Sequence, residues 1–222
     1  GGSKRIPRKN IKPDMGKPMM AYSIEAAIES ECFDRIIVST DDEEMAEVAI
    51  SLGAEVPFIR PASLSDDHTA TVPVIKHALE FIIESGDEVE IACCIYATAP
   101  FILDDDLRKG LALIRAQKVE YAFSATSFPF PIQRAIRLTE DGGVKMFSEQ
   151  CADTRSQDLV EAYHDAGQFY WCNIDAVVNN KQFFVGSLSM PVVLPIYRVQ
   201  DIDSPDDWKR AELLFSIQND LE

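Results

Sequence analysis

Apolar and polar positions switch between two periods along most of this chain. The segment Met19–Ser30 (MMAYSIEAAIES) repeats its apolar residues at helical spacing and predicts a helix. Residues 35–39 (RIIVS) form a short β-branched run, the pattern of a buried strand. In Thr40-Asp41-Asp42-Glu43 a hydroxyl is followed three positions later by a carboxylate, a capping box with acids in the first turn. The helix it opens is expected to end at Gly53. A strand is predicted at 56–59, an amphipathic helix over Thr71–Glu84 stopped by Gly86, and a central buried strand at 89–96 (VEIACCIY). A helix with acids at its start comes next at 104–117, then a strand at 120–125. Strands and helices that alternate with short connections build a mostly parallel sheet covered on both faces, with right-handed crossovers. Ligands in such sheets sit beyond the carboxyl ends of the strands.

The rhythm breaks after Ser127. Phe128-Pro129-Phe130-Pro131-Ile132 is aromatic and proline-rich, and residues 134–138 and 144–147 read as a hairpin around Asp141-Gly142-Gly143. Apolar side chains on so thin an arm need cover, either from a second subunit or from their own domain. The main pattern resumes with strands at 168–174 and 191–194 and a last helix at 204–219. The domain reading is an α/β body of residues 1–127 and 164–222, interrupted by an arm at 128–163.

Charge sharpens the picture. The 222 residues carry a formal net charge of -16, yet the first seventeen hold six basic side chains and one acid. Like charges crowd at a cost unless an anion meets them, so this end points to a strongly anionic ligand. The acidic body argues against broad nucleic-acid or anionic-membrane binding. A nucleic-acid-binding protein gripping phosphates with its basic arm is the rival of a different class; the aromatic residues lie in apolar strands, away from that arm. No apolar run is long enough to span a bilayer, and no secretory signal is expected. Five cysteines without C-x-x-C spacing fit a reducing cytoplasm.

Two groups of residues carry candidate chemistry. Gly1-Gly2-Ser3-Lys4-Arg5 offers close backbone N–H groups, a hydroxyl and two cations, which suits a polyphosphate. Such loops come after a strand, so a short apolar segment is expected to precede Gly1 in the intact protein. Gly16-Lys17 lacks the hydroxyl of a magnesium-holding phosphate loop and, with Pro18, reads as a helix start. In an extended Asp201-Ile202-Asp203 the two carboxylates project to one side, a pair suited to Mg²⁺, while Ile202 turns to the core. Ser204, Pro205 and the acids Asp206 and Asp207 read as the start of a helix. The acids at 41–44 and 104–106 are explained as helix-start residues, and the three histidines lack metal-ligand spacing.

The runs GGSKRIPRKNIKP, GKPMMAYSIEAA, RIIVSTDD, RPASLSDD, YATAPF and QDIDSPDDW together resemble the CMP-nonulosonic acid synthetases, the CMP-sialic acid synthetases and their relatives. The likeness covers nearly the whole chain in the family's order. YATAPF and RSQDLVEAYHDAGQFYW are most similar to the pseudaminic acid branch. Where the neuraminate branch has Gln-Pro-Thr-Ser-Pro this chain has Tyr96-Ala97-Thr98-Ala99-Pro100, and where that branch has Arg-Pro-Asn-Gly it has His164-Asp165-Ala166-Gly167. Both differences fall where the family holds the sugar. The strand and Ala-Arg expected before Gly1 are missing.

The resemblance implies a three-layer, Rossmann-like nucleotide-binding α/β fold, a dimerisation arm and a homodimer. It implies a cytidylyltransferase that joins CTP to pseudaminic acid with loss of pyrophosphate, activating the sugar for cell-surface or flagellin glycosylation. Another keto-acid sugar such as N-acylneuraminate is the alternative substrate. By family pattern, Gly1, Gly2, Ser3, Lys4, Arg5 and Lys9 hold the triphosphate, and Asn10, Arg60 and Thr71 contact the cytidine. Tyr96, Thr98, Asp165 and Gln168 face the sugar, with Arg155 of the arm near a neighbouring subunit's site. Asp201 and Asp203 bind Mg²⁺, and the catalytic set is Lys4, Lys9 and Asp201.

Overall fold

The computed structural model describes residues 6–66, 69–116, 119–179 and 183–219. A short ribbon opens it: β1 (Pro13–Asp14) pairs antiparallel with β2 (Lys17–Pro18) across Met15 and Gly16. Both turn residues have positive φ, 46° and 94°, a backbone that glycine adopts without strain. α1 spans Met19–Ser30 as predicted, and Pro18 stands at its N-cap position, just outside the first turn. The helix stops where Glu31 turns left-handed, at φ 53°.

α2 runs Glu43–Ser51, and its cap is Asp42, whose carboxylate accepts from the Met45 amide at 3.0 Å. The expected capping box at Thr40 is displaced by two residues, because Thr40 spends its hydroxyl on the Asp42 amide. Gly53 comes after the helix at φ 96°, as expected for a terminator. The predicted strands at 35–39 and 56–59 shrink to a single parallel bridge, Ile37 to Glu55.

Most of the remaining elements keep close to the pattern. They are α3 (Thr71–Glu84), β3 (Ile91–Ile95), α4 (Asp104–Ala116), β4 (Tyr121–Ser127), β5 (Ile136–Leu138), β6 (Val144–Met146), β7 (Tyr163–Asn173), α5 (Ile174–Val178), β8 (Ser189–Val193) and α6 (Pro205–Asn219). The main sheet has the order β3-β7-β4-β8. β4 and β8 pair in parallel, and β3 points the same way. β7 runs against all three and is bonded to β3 on one side and β4 on the other. The sheet is therefore mixed, with one reversed strand at its centre.

Helices cover both faces, giving three layers. On one face Ala26 of α1 and Leu107, Leu111 and Ile114 of α4 pack on Ala122, Phe169 and Trp171. On the other, Leu79 of α3 and Ala176 and Val177 of α5 pack on Tyr121 and Cys172. Trp171 fixes the first interface: its ring stacks on Phe33 at 4.9 Å, and its Nε1 donates to the Leu107 carbonyl at 3.1 Å. A Cβ on Gly110 would overlap the indole of Trp171, 2.7 Å from its Nε1, so α4 approaches this closely only because residue 110 has no side chain.

β5 and β6 form the expected hairpin, with Ile136 opposite Met146. Its apolar side chains face outward: Leu138 is 79% exposed and Phe147 69%. All five cysteines are free, and burial pushes the Cys94 and Cys172 thiols up to about 12. Among the described residues no helix is long and apolar enough to cross a membrane.

Candidate active site

A cleft of about 440 Å³ opens beyond the carboxyl end of β3. One wall comes from Tyr96, just after β3, and from Asp165, Gly167 and Tyr170 of β7. The other comes from Ile196, Val199, Gln200 and Asp201, with Arg210 reaching in from α6.

The first wall owes its shape to an irregularity in β7. The pairing with β4 slips between Phe123 and Ala125, so several β7 residues oppose Ser124 alone. The Ser124 hydroxyl takes up the slack by accepting from the amides of Gln168 and Phe169, at 3.1 and 3.2 Å. Gly167 sits in the bulge at φ 65°. Its amide donates to Asp165 Oδ1 at 2.9 Å, and Tyr170 donates its hydroxyl to Asp165 Oδ2 at 2.5 Å. Burial, then the bond to Asp165, holds the Tyr170 phenol far above its ordinary range. Tyr96 packs on Tyr170 with ring centroids 5.2 Å apart, and its hydroxyl lies 3.0 Å from that of Thr71. Burial raises the Tyr96 phenol as well. Both phenols therefore stay protonated near neutrality, as hydrogen-bond donors.

The second wall leads into the carboxylate pair. Burial raises the Asp201 carboxyl above its ordinary range, and the charge of Asp203 adds to that. Lys9 reaches this turn from the N-terminal end of the chain. Its Nζ donates to the Ile202 carbonyl at 2.5 Å and lies 3.5 Å from Asp203 Oδ1. Ile202 is fully buried, as its alternation with the two acids predicted. Asp207 braces the turn from below. Its Oδ2 accepts from the amides of Asp203 and Ser204 and from the Ser204 hydroxyl, and Ser204 Oγ accepts in return from the Asp207 amide. Those bonds, the Ser204 hydroxyl first, hold Asp207 below the usual carboxylate range.

The structure thus brings together Lys9, Thr71, Tyr96, Asp165, Asp201 and Asp203 from the sequence-predicted set. Other candidates stand apart. Gln168 is buried, and its Nε2 donates to the Arg198 carbonyl at 2.7 Å. Arg60 pairs with Asp41 at 3.4 Å and donates to Ser65. Arg155 is exposed in the arm and bonds Asp158 at 2.7 Å. Asn10 gives its carbonyl to the Met20 amide, at 2.8 Å, tying the N-terminal stretch to α1. Of the candidates only Tyr96, Asp165 and Asp201 line the cleft itself; Thr71 adjoins it through Tyr96, Lys9 and Asp203 adjoin it at the Asp201 turn, and Thr98, Gln168, Asn10, Arg60 and Arg155 do not line it. Gly1, Gly2, Ser3, Lys4 and Arg5 lie outside the described residues. The lining residues that the sequence reading did not single out include Tyr170, Gln200 and Arg210.

The sequence and the fold match known proteins. Residues 1–180 match the model of the family described as cytidylyltransferase. The chain belongs to that family. It is 42% identical over 220 residues, covering 99% of this chain and 94% of the relative, to the pseudaminic acid cytidylyltransferase of Campylobacter jejuni. It is 30% identical over 98% of its length to the N-acylneuraminate cytidylyltransferase of Escherichia coli, of which it covers half. Among solved structures, a CMP:2-keto-3-deoxy-manno-octonic acid synthetase complexed with CTP superposes with TM-score 0.68 at 16% identity, over 98% of this chain and 95% of the other. At that identity the match concerns the fold alone.

Proposed function

We propose that this chain transfers the cytidylyl group of CTP to pseudaminic acid, releasing pyrophosphate. The observation that carries the reaction is the meeting of Lys9 and Asp203 beside a cleft that Asp201 shares with Tyr96 and Asp165. A site for two substrates needs this layout: cationic and carboxylate groups at one end, and neutral donors and an acceptor for a polyhydroxylated acid at the other. The choice of acid is supported by the 42% identity to the Campylobacter jejuni enzyme, against 30% to the N-acylneuraminate enzyme.

In this reaction the anomeric hydroxyl of the sugar attacks the α-phosphorus of CTP. A new P–O bond forms, the hydroxyl's proton is given up to solvent, the bond to the β-phosphate oxygen breaks, and pyrophosphate leaves in line. Such transfers gain mainly from positioning and charge stabilisation. Lys9, with the loop of Gly1 to Arg5, neutralises the triphosphate and the departing charge. Asp165 accepts from a sugar hydroxyl or amide, held in place by Tyr170 and Gly167. Arg210 has no ion pair among the described residues, and it takes the carboxylate of the acid.

Asp201 and Asp203 suit a hard divalent cation. Burial and the charge of Asp203 raise the Asp201 carboxyl, the mark of two carboxylates held near each other, and Mg²⁺ is commonly held by one or two carboxylates with substrate oxygens completing its shell. When bound there, Mg²⁺ would polarise the α-phosphate and offset charge as pyrophosphate departs.

The arm belongs to the same proposal. Phe130, Leu138 and Val160 are each about four-fifths exposed, and a second copy would cover them in a homodimer. Free thiols and a CTP-consuming reaction fit the cytoplasm. The nucleic-acid reading loses support because the described cations of the N-terminal stretch fold onto the body. Arg8 pairs with Glu44, Lys17 with Glu25, and Lys12 lies over the Trp208 ring at 4.2 Å.

The test is pyrophosphate release with CTP, Mg²⁺ and a panel of nonulosonic acids. Turnover highest with pseudaminic acid supports the assignment. Preference for N-acylneuraminate transfers it to that branch, and no release with any acid ends it.

A further inference from the structure

Asp106 looks in the sequence like the third member of an acidic helix start, but it behaves unlike its neighbours. Asp104 and Asp105 are bonded to Arg108 at the surface. Asp106 is 1% exposed, and its Oδ2 accepts from Arg198 Nη1 at 2.7 Å. Lys109 Nζ covers the other oxygen at 3.1 Å. Arg198 is itself buried, and its carbonyl accepts from Gln168 Nε2 at 2.7 Å. Residue 198 is therefore gripped twice, by its side chain from α4 and by its backbone from the β7 bulge.

The segment just C-terminal to Arg198 gives this grip a use. Val199, Gln200 and Asp201 form the second wall of the cleft, and Asp203 and Lys9 lie just beyond. Asp207 and Ser204 brace the far end of the same segment. A buried ion pair is a weak source of net stability, because desolvation offsets most of the attraction. Groups that hold a site from behind, in contrast, set its geometry.

We propose that the Asp106–Arg198 pair, with Gln168, is a positioning device that sets the cleft wall carrying Asp201. It ties that wall to α4 and to the bulge that presents Asp165, so the two sides of the cleft keep a fixed separation. The inference rests on the proposed transfer reaction only for its kinetic readout; the placement of the wall can be read without turnover.

The experiment compares the full chain with an apolar replacement of the pair, Asp106→Leu with Arg198→Met, and with the milder Arg198→Lys. Hydrogen exchange followed by mass spectrometry is read over residues 196–203, and steady-state kinetics in parallel. The expected result for a folded double variant is amide exchange at least tenfold faster in 196–203, with α1 and α3 unchanged. With it kcat falls about tenfold to hundredfold while KM for CTP moves less than about threefold. Arg198→Lys, which keeps a charge but loses the planar fork, falls between. Should the double variant fail to fold, Arg198→Lys alone decides by the same two readouts. Unchanged exchange in 196–203 of a folded variant, or a kcat within about threefold of the parent's, overturns the proposal. If the parent chain releases no pyrophosphate with any acid, the functional reading fails and the exchange experiment still judges this one.

Discussion

Tyr170 donates its hydroxyl to Asp165, five residues back along the same strand, at 2.5 Å. In a regular strand residues five apart face opposite sides. The bulge at Ser124 turns them together and makes Asp165 a held acceptor rather than a mobile one. Tyr170→Phe removes one of its two anchors. KM for the sugar acid is expected to rise about threefold to tenfold, the worth of one ordinary hydrogen bond, with KM for CTP unchanged. A change confined to CTP, seen in initial-rate measurements with each substrate varied, removes Asp165 from the sugar side.

The same bulge shows where sequence reading stops. α1 and α3 were legible to the residue, because an apolar stripe at helical spacing needs no partner to be recognised. The reversed direction of β7 was not, since alternation along a strand carries no polarity. Nor was the pairing of Asp165 with Tyr170, which depends on an irregularity that alternation cannot encode. Asp106 was hidden among acids that a helix start explains equally well. The pairing of Asp201 with Asp203 was legible because Ile202, fully buried between them, fixes which way they face.

Asp203→Ala is expected to leave a folded protein whose kcat is lower by orders of magnitude. Lys9→Ala is expected to weaken CTP use most. Activity of Asp203→Ala within about tenfold of the parent, roughly 1.4 kcal/mol of barrier, would remove the carboxylate pair from the mechanism. Unchanged CTP kinetics would remove Lys9.

Arg210→Ala should raise KM for the acid about tenfold or more, the scale of a lost charge-assisted bond, and Arg210→Lys should restore part of it. An acid analogue with its carboxylate reduced to an alcohol should be handled equally by parent and variant. If the variant instead discriminates as the parent does, the carboxylate lies elsewhere.

Asp14 is 1% exposed, and neither carboxylate oxygen has a hydrogen-bond partner among the described residues. Burial first, and then Glu212, push it up to about 6, with Lys12 opposing. The folded state thus keeps a proton that the unfolded chain has released. This contribution to stability is full below about pH 4 and is lost as pH rises through 6. Asp14→Asn should stabilise the protein at pH 7.5 by about 1–3 kcal/mol relative to the parent, and the gain should shrink toward pH 4. Urea unfolding of both proteins across that range checks it; a gain independent of pH counts against the buried carboxyl as its cause.

Gly110→Ala drives a methyl into the Trp171 ring. Overpacking of this kind costs about 1–3 kcal/mol, which lowers Tm by roughly 3–10 °C in a chain of this size. Calorimetry showing no loss would mean that α4 shifts freely over the sheet.

The placement of β7 also governs how the protein can be made. Its residues are synthesised after β3 and β4, yet they belong between those two strands. On the ribosome the earlier strands wait with bare edges until residue 173 has emerged, and an unpaired edge recruits foreign strands readily. A product truncated ahead of Tyr163 would lack the seam that joins its halves and would be a natural seed for aggregation.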